Sequence, residues 1–319
     1  MTRRAVGFDA WIVGEALTDV LLAPDGKRTE RPGGSPANVA LGLARLGHRV
    51  ELGTRIGDDR RGRLLLSRLH ASGVTLSAGS VTDEPTPTAT AALDADGAAT
   101  YAFDFTWAPR AWDAPPGHPH LHTGSLATAL APGADVVRAA VARARPLTTV
   151  SYDPNPRPAL LGPADRERPR VEQCVALSDV VKAGREDLEW LVPEQPAQDT
   201  ARRWAGIGPA LVVLTCGADG ALAWWRGRSY AVPAPPTDVK DTVGAGDAFM
   251  TGLLSGLLRA GLLGSPAARR RLYAGGDDRA VTDALALAAR AAAVTVARAG
   301  ADPPTRPELG PPPAGIRRA

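Results

Sequence analysis

The sequence predicts an α/β protein whose central sheet is mostly parallel and flanked by helices. Short apolar runs alternate with segments of helical period, which is typical of successive β-α-β units. One region departs from this alternation, because residues 86–105 alternate apolar and polar side chains around DADG and so predict a β-hairpin. Two antiparallel strands inside an α/β chain indicate a small flap beside the main sheet. The 319 residues are enough for this arrangement.

The first elements follow from apolar periodicity and from the residues that punctuate it. Residues 10–15 (AWIVGE) predict a strand, and residues 36–47 predict a helix that starts with proline and ends with glycine. Residues 49–57 are strand-like, and residues 61–73 have the period of a second helix. The two types of element therefore alternate, as a parallel sheet requires.

The remainder of the chain continues this pattern. Residues 280–299 predict a long alanine-rich helix, and loops are expected at 108–119 and 261–279. The proline-rich tail 302–319 is expected to be a surface or disordered segment. Buried parallel strands are predicted at 147–153, 179–184 and 210–215.

Composition and charge exclude several classes of function. The net charge is +3 and the pI about 9.1, with arginines scattered among acids, so we expect no nucleic-acid partner. The arginine runs at 3–4, 60–63 and 269–271 are interpreted as solvated faces or loops. No apolar run is long enough to span a membrane, and Asp9 and Glu15 interrupt any signal-peptide core. We therefore expect a cytoplasmic protein.

The cysteines and one histidine-rich segment do not indicate a metal site. Cys174 and Cys216 lie far apart without metal-ligand spacing, which favours buried free thiols in a reducing compartment. HPHLH at 118–122 would place alternate histidines on one face of a strand, but no cluster of carboxylates or cysteines lies near it in the sequence.

Small residues surround one carboxylate in DTVGAGD at 241–247, directly before an apolar helix. Glycine and alanine let backbone N–H groups approach a ligand closely, and the helix N-terminus adds partial positive charge, so this turn predicts an anion site. Two interpretations of Asp247 remain open. It either caps the helix, or it is the general base for a hydroxyl that attacks a phosphoryl group.

Two other nucleotide-binding motifs are absent from the sequence. There is no G-x-x-x-x-G-K-[ST] segment, and GAGDAF at 244–249 fails the last glycine of G-x-G-x-x-G. The sequence therefore does not support a P-loop enzyme or a nicotinamide dehydrogenase.

Two segments about two hundred residues apart resemble the signatures of one family. DTVGAGDAF at 241–249 resembles the C-terminal signature of the ribokinase-like (PfkB) carbohydrate kinases, and GGSPANVALGLARLG at 33–47 resembles their N-terminal signature. The resemblance covers nearly the whole chain and is closest to the bacterial fructokinases, for example in GEALTDVL at 14–21 and YDPNPRP at 152–158.

The resemblance implies an ATP-dependent sugar kinase that uses Mg²⁺ and phosphorylates a primary hydroxyl, most of all that of fructose. It implies one ribokinase-like domain over residues 1–319, with a β lid formed by about 14–35 and 86–107. The predicted hairpin fits such a lid. Lids of this family often pair between subunits, so a homodimer through the lid is expected. Deleting the hairpin tip near Asp96–Gly97 should then raise ATP hydrolysis without sugar.

Site residues are implied by the same resemblance, position by position. Asp247 matches the catalytic base, and the turn of Gly244, Ala245 and Gly246 matches the anion hole. The sugar-binding side is Asp19, Gly33, Gly34 and Asn38, with Arg157 over the transferring phosphate beside Asn155. The residues implied to contact ATP are Lys182, Thr215, Gly217, Ala218, Asp219, Gly220 and Gly246.

These assignments have a chemical basis and a plainer alternative. A carboxylate at Asp19 can accept two sugar hydroxyls, the glycines at 33–34 let a flat ring lie against backbone, and the Asn38 amide is both donor and acceptor. The alternatives are an exposed turn aspartate, an ordinary turn and a polar residue at a helix start.

The metal-binding positions depart from the family pattern. The N-x-x-E motif linked to magnesium reads Gly184-Arg185-Glu186-Asp187 here, so Asp187 is the candidate ligand and Mg²⁺ would be held mainly by phosphate and water. Asp241 is the candidate for a monovalent cation such as K⁺ beside the anion hole.

Other functions remain open. A kinase for 2-keto-3-deoxygluconate, ribose or a nucleoside has the same motifs, and a sugar acid would need an added cation such as Arg110 or Arg157. A non-catalytic sugar- or nucleotide-binding regulator on the same fold is the alternative from another class. The intact Asp247 argues against it, because a pure binder has no use for a base.

Overall fold

The computed structural model describes residues 7–93, 99–310 and 316–318. Its strands are β1 (Ala10–Val13), β2 (Leu17–Leu22), β3 (Arg28–Gly33), β4 (Val50–Gly53), β5 (Ile56–Gly57), β6 (Val74–Leu76), β7 (Val81–Thr82), β8 (Thr88–Leu93), β9 (Ala99–Asp104), β10 (His120–Gly124), β11 (Val150–Asp153), β12 (Val180–Gly184), β13 (Leu211–Thr215), β14 (Ala221–Trp225), β15 (Arg228–Val232) and β16 (Arg317–Arg318). Its helices are α1 (Ser35–Arg45), α2 (Arg60–Ala71), α3 (Leu126–Ala129), α4 (Gly133–Ala144), α5 (Ala164–Leu177), α6 (Arg185–Leu191), α7 (Ala197–Trp204), α8 (Ala245–Arg259), α9 (Pro266–Ala274), α10 (Asp278–Val296) and α11 (Arg306–Leu309).

The central sheet has the order β16-β15-β14-β13-β12-β11-β10-β1-β4-β6 in the described ranges. The strands from β13 to β6 run parallel, whereas β14, β15 and β16 are antiparallel additions at one edge. The predicted mostly parallel α/β sheet is therefore confirmed. Because parallel strands deliver their carboxyl ends to one edge, the loops after β1, β10, β11 and β12 meet there.

Helices cover both faces of this sheet, which is why its strands read as continuous apolar runs. On one face, Ile12 and Leu52 pack in a core that includes α1, α8 and α10. On the other face, Trp11 and Leu121 pack against α4, and Val181 packs with α5 to α7. Successive residues of β1 thus serve opposite layers, as the strand period requires.

Helices α8 and α10 approach each other unusually closely. A Cβ atom at Gly252 would lie 2.7 Å from the Ala288 Cα, and one at Gly256 would lie 2.6 Å from the Ala284 Cα. Only glycine on α8 permits this approach, so the helix that begins at Ala245 is held firmly against the body of the protein.

A second, smaller sheet has the order β3-β2-β8-β9 among the described residues. The hairpin predicted at 86–105 is confirmed in its two strands, since β8 and β9 pair antiparallel from Thr88 to Asp104. The predicted DADG turn at 94–97 and the hairpin tip at Asp96–Gly97 lie outside the described residues. Strand β2 joins the two halves of this sheet, pairing antiparallel with β3 and parallel with β8.

Two regions that we expected to be irregular contain regular structure. The loop predicted at 261–279 includes helix α9, which starts with the Ser265 hydroxyl accepting from the Ala268 amide and with proline in its first turn. The tail predicted at 302–319 as surface or disordered contains α11 and β16, and Leu309 is buried. Its residues 311–315 and 319 lie outside the described ranges. Helix α9 could have been predicted from Ser265 and Pro266, which form a helix start signal. Strand β16 could not, because its pairing with β15 depends on tertiary contact.

The arginine runs at 60–63 and 269–271 are mostly solvated, as expected, although Arg61 and Arg269 are partly buried. The run at 3–4 lies outside the described residues. Arg269 donates to both carboxylate oxygens of the buried Asp179. Arg60 and Arg61 at the start of α2 bind Glu30 on β3. Of the cysteines, both unpaired, Cys174 is buried as predicted and Cys216 is only half-buried.

Candidate active site

A cavity of about 840 Å³ separates the second sheet from the carboxyl edge of the central sheet. The inner face of the second sheet contributes Leu17, Asp19, Leu21, Thr29, Arg31, Ala89, Ala91 and Phe103 to its wall. The opposite wall comes from the starts of α1 and α8 and from loops that follow the parallel strands. This is the place where ligands bind in open α/β sheets.

Asp247 lies in this cavity as the third residue of α8. Its Oδ1 accepts from the Ser35 hydroxyl at 2.7 Å, and its Oδ2 accepts from the Asn38 amide at 2.8 Å. The cap position of α8 is Gly244, so the carboxylate is turned to the first turn of α1. The cap interpretation of Asp247 therefore has no support in the geometry. Ser35 was missed in the sequence, although it directly follows the two glycines of the motif.

The turn before Asp247 leaves donors free at the helix start. Gly244 is left-handed with φ 77°, and a Cβ there would lie 2.6 Å from the Ala301 Cβ, so a larger residue is excluded. The Ala245 amide donates to the Thr242 carbonyl. The amides of Gly246 and Asp247 have no acceptor within the helix and face the N-terminal end, where the dipole favours an anion.

The predicted sugar side is assembled at the base of the second sheet. Asp19 opens into the cavity from β2, and a Cβ at Gly33 would overlap its carboxylate. Gly34 caps α1 with φ 102°, where a Cβ would lie 2.6 Å from the Glu15 carbonyl oxygen. Close packing within the protein therefore requires both glycines, and the contact of a sugar ring with their backbone remains a prediction.

The protein around Asp19 displaces water and raises the pKa of this carboxyl to about 6. The Arg157 guanidinium opposes the shift and the Asp247 carboxylate adds to it. Two carboxylates, Asp19 and Asp247, therefore share one cavity.

Glu15 is a buried carboxylate at the wall of the same cavity. No role in the site was predicted for it from the sequence. It follows β1, and its Oε2 accepts from the Ala127 amide at 3.0 Å. Burial raises the pKa of Glu15 to about 7, against hydrogen bonds from Ser125 and the Ala127 amide. Its position in the sequence could have identified it, because Glu15 ends a predicted parallel strand at the carboxyl edge of the sheet, where ligands bind.

A buried ion pair lies behind the anion hole. The Lys182 ammonium donates to Asp153 Oδ2 at 2.8 Å, and both side chains are almost completely buried. A Cβ at Gly246 would lie 2.9 Å from the Lys182 Nζ, so the ammonium abuts the first turn of α8. Burial disfavours this ammonium, but Asp153, Asp187 and Asp247 outweigh burial and raise the pKa of Lys182. Asp153 was missed, although it ends the strand VSYD.

Asn155 and Arg157 lie next to one another on the loop after β11. The Arg157 guanidinium donates to Asn155 Oδ1 at 2.6 Å and extends into the cavity. Asn155 has φ 35°, a strained conformation that recurs at functional sites. Arg110, the other cation considered for a sugar acid, is exposed and does not line the cavity.

The predicted nucleotide loop follows β13 and lies outside the lining of the cavity. The Thr215 hydroxyl donates to the Ala183 carbonyl at 3.3 Å, and residues 217–219 form one 3-10 turn. Gly217 has φ 58° with open space where a Cβ would point, whereas Gly220 packs against the Val232 carbonyl. Ala218 and Asp219 belong to the same turn, and Asp219 binds Arg185 at 2.8 Å.

Asp187, the predicted metal ligand, also stabilises the start of a helix. Its Oδ2 accepts from the Gly184 amide at 2.8 Å and closes the start of α6. Burial raises the pKa of Asp187, and the Lys182 ammonium opposes the rise. The departure from N-x-x-E therefore produces a short capping carboxylate beside the buried ion pair.

Asp241 lies at the mouth of the anion hole, bound by backbone amides. Its Oδ1 accepts from the Val243 amide at 3.0 Å, and its Oδ2 accepts from the Gly300 amide at 2.7 Å. The Arg31 guanidinium lies 3.6 Å from the same Oδ2.

The described ranges contain no group of three or more metal-ligating side chains. His120 and His122 are buried and bind the hydroxyls of Thr149 and Ser151. No helix in the described part of the chain is long and apolar enough to cross a bilayer.

Comparison with known proteins places this geometry in a family. The model of the pfkB family carbohydrate kinases matches residues 8–308. A fructokinase from Rhizobium leguminosarum bv. trifolii is 35% identical over 78% of this chain and 80% of its own length. A fructokinase double mutant from Vibrio cholerae O395, solved with fructose, ADP and potassium ion, is 27% identical with a TM-score of 0.74, covering 95% of this chain and 96% of that one.

A relative with another substrate is similar to the same degree. Aminoimidazole riboside kinase from Salmonella enterica, solved with aminoimidazole riboside and an ATP analogue, has 25% identity and a TM-score of 0.74 over 95% of this chain and 97% of its own. Fructose is thus not the common substrate of the matching proteins. The chain belongs to the pfkB family of carbohydrate kinases and is an ATP-dependent carbohydrate kinase.

Proposed function

We propose that this kinase transfers the γ-phosphoryl group of ATP to a primary hydroxyl of a sugar, with fructose as the first candidate. The observation that carries the proposal is the position of Asp247, a carboxylate inside a large cavity at the positive end of α8. The fructokinases among the relatives and the cavity wall of Asp19, Gly34 and Asn38 support a sugar as the acceptor.

Asp247 has the geometry of a general base. Its two oxygens are oriented by neutral donors, Ser35 and Asn38, and neither is tied to a cation by a hydrogen bond in the described part of the chain. A sugar hydroxyl that replaces either donor would lie within proton-transfer distance of the carboxylate. The proton moves to Asp247 as the hydroxyl oxygen attacks phosphorus and ADP leaves.

Negative charge on the transferring oxygens is stabilised from the opposite side. The free amides at the start of α8 and the Lys182 ammonium beside Gly246 supply fixed positive charge without reorganisation. Arg157 reaches the same cavity and is proposed to lie over the phosphoryl group. ATP is proposed to extend from there along the loop of Thr215, Gly217, Ala218, Asp219 and Gly220.

The acidic side chains near Lys182 fit Mg²⁺ held largely through water. Among the described residues, Asp153 Oδ1 is buried without a hydrogen-bond partner, and Asp187 lies beside the same ammonium. A Mg²⁺ ion keeps several water ligands and shields phosphate charge when bound. Asp153 and Asp187 would hold those waters.

The second sheet is proposed to act as the lid that excludes water, and a homodimer through this lid remains a prediction. Glu30 on β3 binds Arg61 at 2.8 Å, which ties the sheet to the body at α2. Closure removes water as a competing acceptor.

A sugar acid is the second candidate substrate, and Arg157 in the cavity favours it. The deciding experiment measures ADP release with fructose, ribose, 2-keto-3-deoxygluconate and aminoimidazole riboside at equal concentrations. We expect the highest kcat/KM for fructose, and Asp19→Asn should raise the sugar KM far more than the ATP KM. A preference for an acid or a riboside overturns fructose, and no turnover with any acceptor overturns the kinase assignment at this site.

A further inference from the structure

The loop of residues 300–303 lies directly behind the anion hole. Gly244, which begins the hole, packs so closely on this loop that a Cβ at Gly244 would lie 2.6 Å from the Ala301 Cβ. The loop and its neighbourhood present carbonyl oxygens and the carboxylates of Asp241 and Asp302 to the cavity. Negative charge at this place opposes the binding of a phosphoryl group and needs a compensating cation.

Four arginines of the described ranges contact this loop. Arg298, which lies just before it in the sequence, binds Asp302. The other three come from β3, α1 and α2, and we call them the arginine cluster: Arg31, Arg45 and Arg68. Arg68 on α2 donates to the Ala301 carbonyl. Arg45 on α1 donates at 2.6 Å to Asp302 Oδ1 and also to the Pro303 carbonyl. Arg31 on β3 lies 3.6 Å from Asp241 Oδ2, and a Cβ at Gly300 would lie 3.1 Å from its Nη1.

These contacts leave few uncommitted oxygen ligands for a monovalent metal ion. A potassium ion requires several oxygen atoms that together replace its hydration shell. Here the Ala301 and Pro303 carbonyls and Asp302 Oδ1 already accept from guanidinium groups. Both Asp241 oxygens already accept from backbone amides. Each of these oxygens keeps a further lone pair, but the guanidinium groups beside them already supply positive charge that would repel a metal ion. For this reason the residues around Asp241 do not fit the cation that the family resemblance implies.

We propose that the arginine cluster is a built-in cation, and that the protein binds its substrates and turns over without a monovalent metal ion. A guanidinium remains charged at every physiological pH and donates several hydrogen bonds in a fixed plane, so it suits this permanent role. Arg31 lies on the second sheet, and therefore one part of this charge moves with the proposed lid. The inference about turnover rests on the proposed kinase function; the inference about ion binding does not.

The first test compares kcat/KM of the wild-type protein in about 100 mM KCl and in choline chloride of equal ionic strength. We expect a change of less than about twofold, because no site for the ion has to be filled. An activation of about tenfold or more by KCl overturns the proposal.

The second test removes two members of the cluster in the double variant Arg31→Gln/Arg68→Gln. We expect its kcat/KM to fall by at least about tenfold in choline chloride and to recover partly in KCl, because the ion can then reach the vacated oxygens. Arg68→Lys should retain more activity than Arg68→Gln, since it keeps the charge. Arg63→Gln, an exposed arginine on α2 paired only with Asp58 among the described residues, is the matched control. Full activity of the double variant in choline chloride overturns the proposal.

Melting temperature provides a readout that does not depend on catalysis. We expect the same midpoint for the wild type in KCl and in choline chloride, and a higher midpoint in KCl for the double variant. If the sugar panel shows no turnover, the kinase assignment fails while this comparison still decides the cation proposal. A wild-type midpoint that rises with KCl, but not with choline chloride, overturns it.

Discussion

Two carboxylates beside the same helix start are held in opposite ways. Asp247 receives hydrogen bonds from a neutral hydroxyl and a neutral amide, whereas Asp153 is paired with the buried ammonium of Lys182. A carboxylate with neutral donors can exchange one of them for a substrate hydroxyl and take its proton. A carboxylate paired with a buried cation maintains a fixed charge pattern instead. The difference fits the proposed division of roles, in which Asp247 reacts and Asp153 maintains the charge distribution around it.

Replacing the proposed base should have the largest effect on rate. We expect Asp247→Asn to lower kcat by about 10³-fold with little change in either KM, because the amide keeps the shape of the site but takes no proton. Steady-state kinetics and a binding measurement for ATP and sugar check this result. Asp238→Asn, an exposed position before the motif, is the control. Retention of more than a tenth of kcat contradicts the role of Asp247.

Replacing Asp153 should affect the free energy of unfolding more than it affects kcat. Asp153→Asn leaves the buried Lys182 ammonium without its counter-ion, and we expect a loss of about 3–5 kcal/mol in the free energy of unfolding. Urea denaturation of Asp153→Asn and of the exposed Asp165→Asn tests this expectation. If Asp153→Asn lowers kcat like Asp247→Asn but leaves stability intact, the contrast between the two carboxylates is wrong.

Glu15 is a third case, since it is buried and no ammonium in the described part of the chain lies beside it. Its pKa of about 7 lies above the ordinary value of 4.5, so the folded protein holds this proton more tightly than the unfolded chain. The contribution to stability is complete below pH 4.5 and is lost as the pH rises through 7.

We therefore expect Glu15→Gln to gain stability relative to the wild type as the pH rises from about 5 to 8, by roughly 2–3 kcal/mol. Thermal or urea unfolding at several pH values measures this difference, with the exposed Glu189→Gln as control. A difference that is independent of pH would mean that Glu15 is not buried as described.

The smallest effect is expected when one neutral donor to Asp247 is removed. Ser35→Ala should lower kcat by about threefold to tenfold, because one hydrogen bond that orients the carboxylate is lost while Asn38 remains. Ser67→Ala on the exposed side of α2 is the matched control. An effect as large as that of Asp247→Asn would show that Ser35 does more than orient the base.

The sequence predicted those features that depend on local pattern. Apolar periodicity identified the parallel strands, and the alternation at 86–105 identified the hairpin of the second sheet. Asp247 and Asn38 were both assigned through motifs, and the structure brings them within 2.8 Å of each other. The roles of these residues remain predictions, although their shared location is now established.

What the sequence did not reveal depends on contacts between distant segments. Asp153 and Lys182 meet because Tyr152 lies opposite Val181 in neighbouring parallel strands, and no local pattern specifies that register. Arg269 was interpreted as solvated because its neighbours are arginines, yet it reaches the buried Asp179 across the fold. The identity of an arginine and of its sequence neighbours does not show whether its charge is buried or exposed.

The close approach of α8 and α10 constrains how this molecule can move. Glycine-to-alanine backbone contact at Gly252 and Gly256 leaves no gap through which α8 could slide or turn. Adjustment to an acceptor of a different size must therefore come from the sheet that carries Asp19 and Arg31. Superposition of crystal structures with and without ligand should show α8 and the central sheet unmoved and the second sheet displaced. New acceptor preferences should then be easiest to select by varying residues of the second sheet.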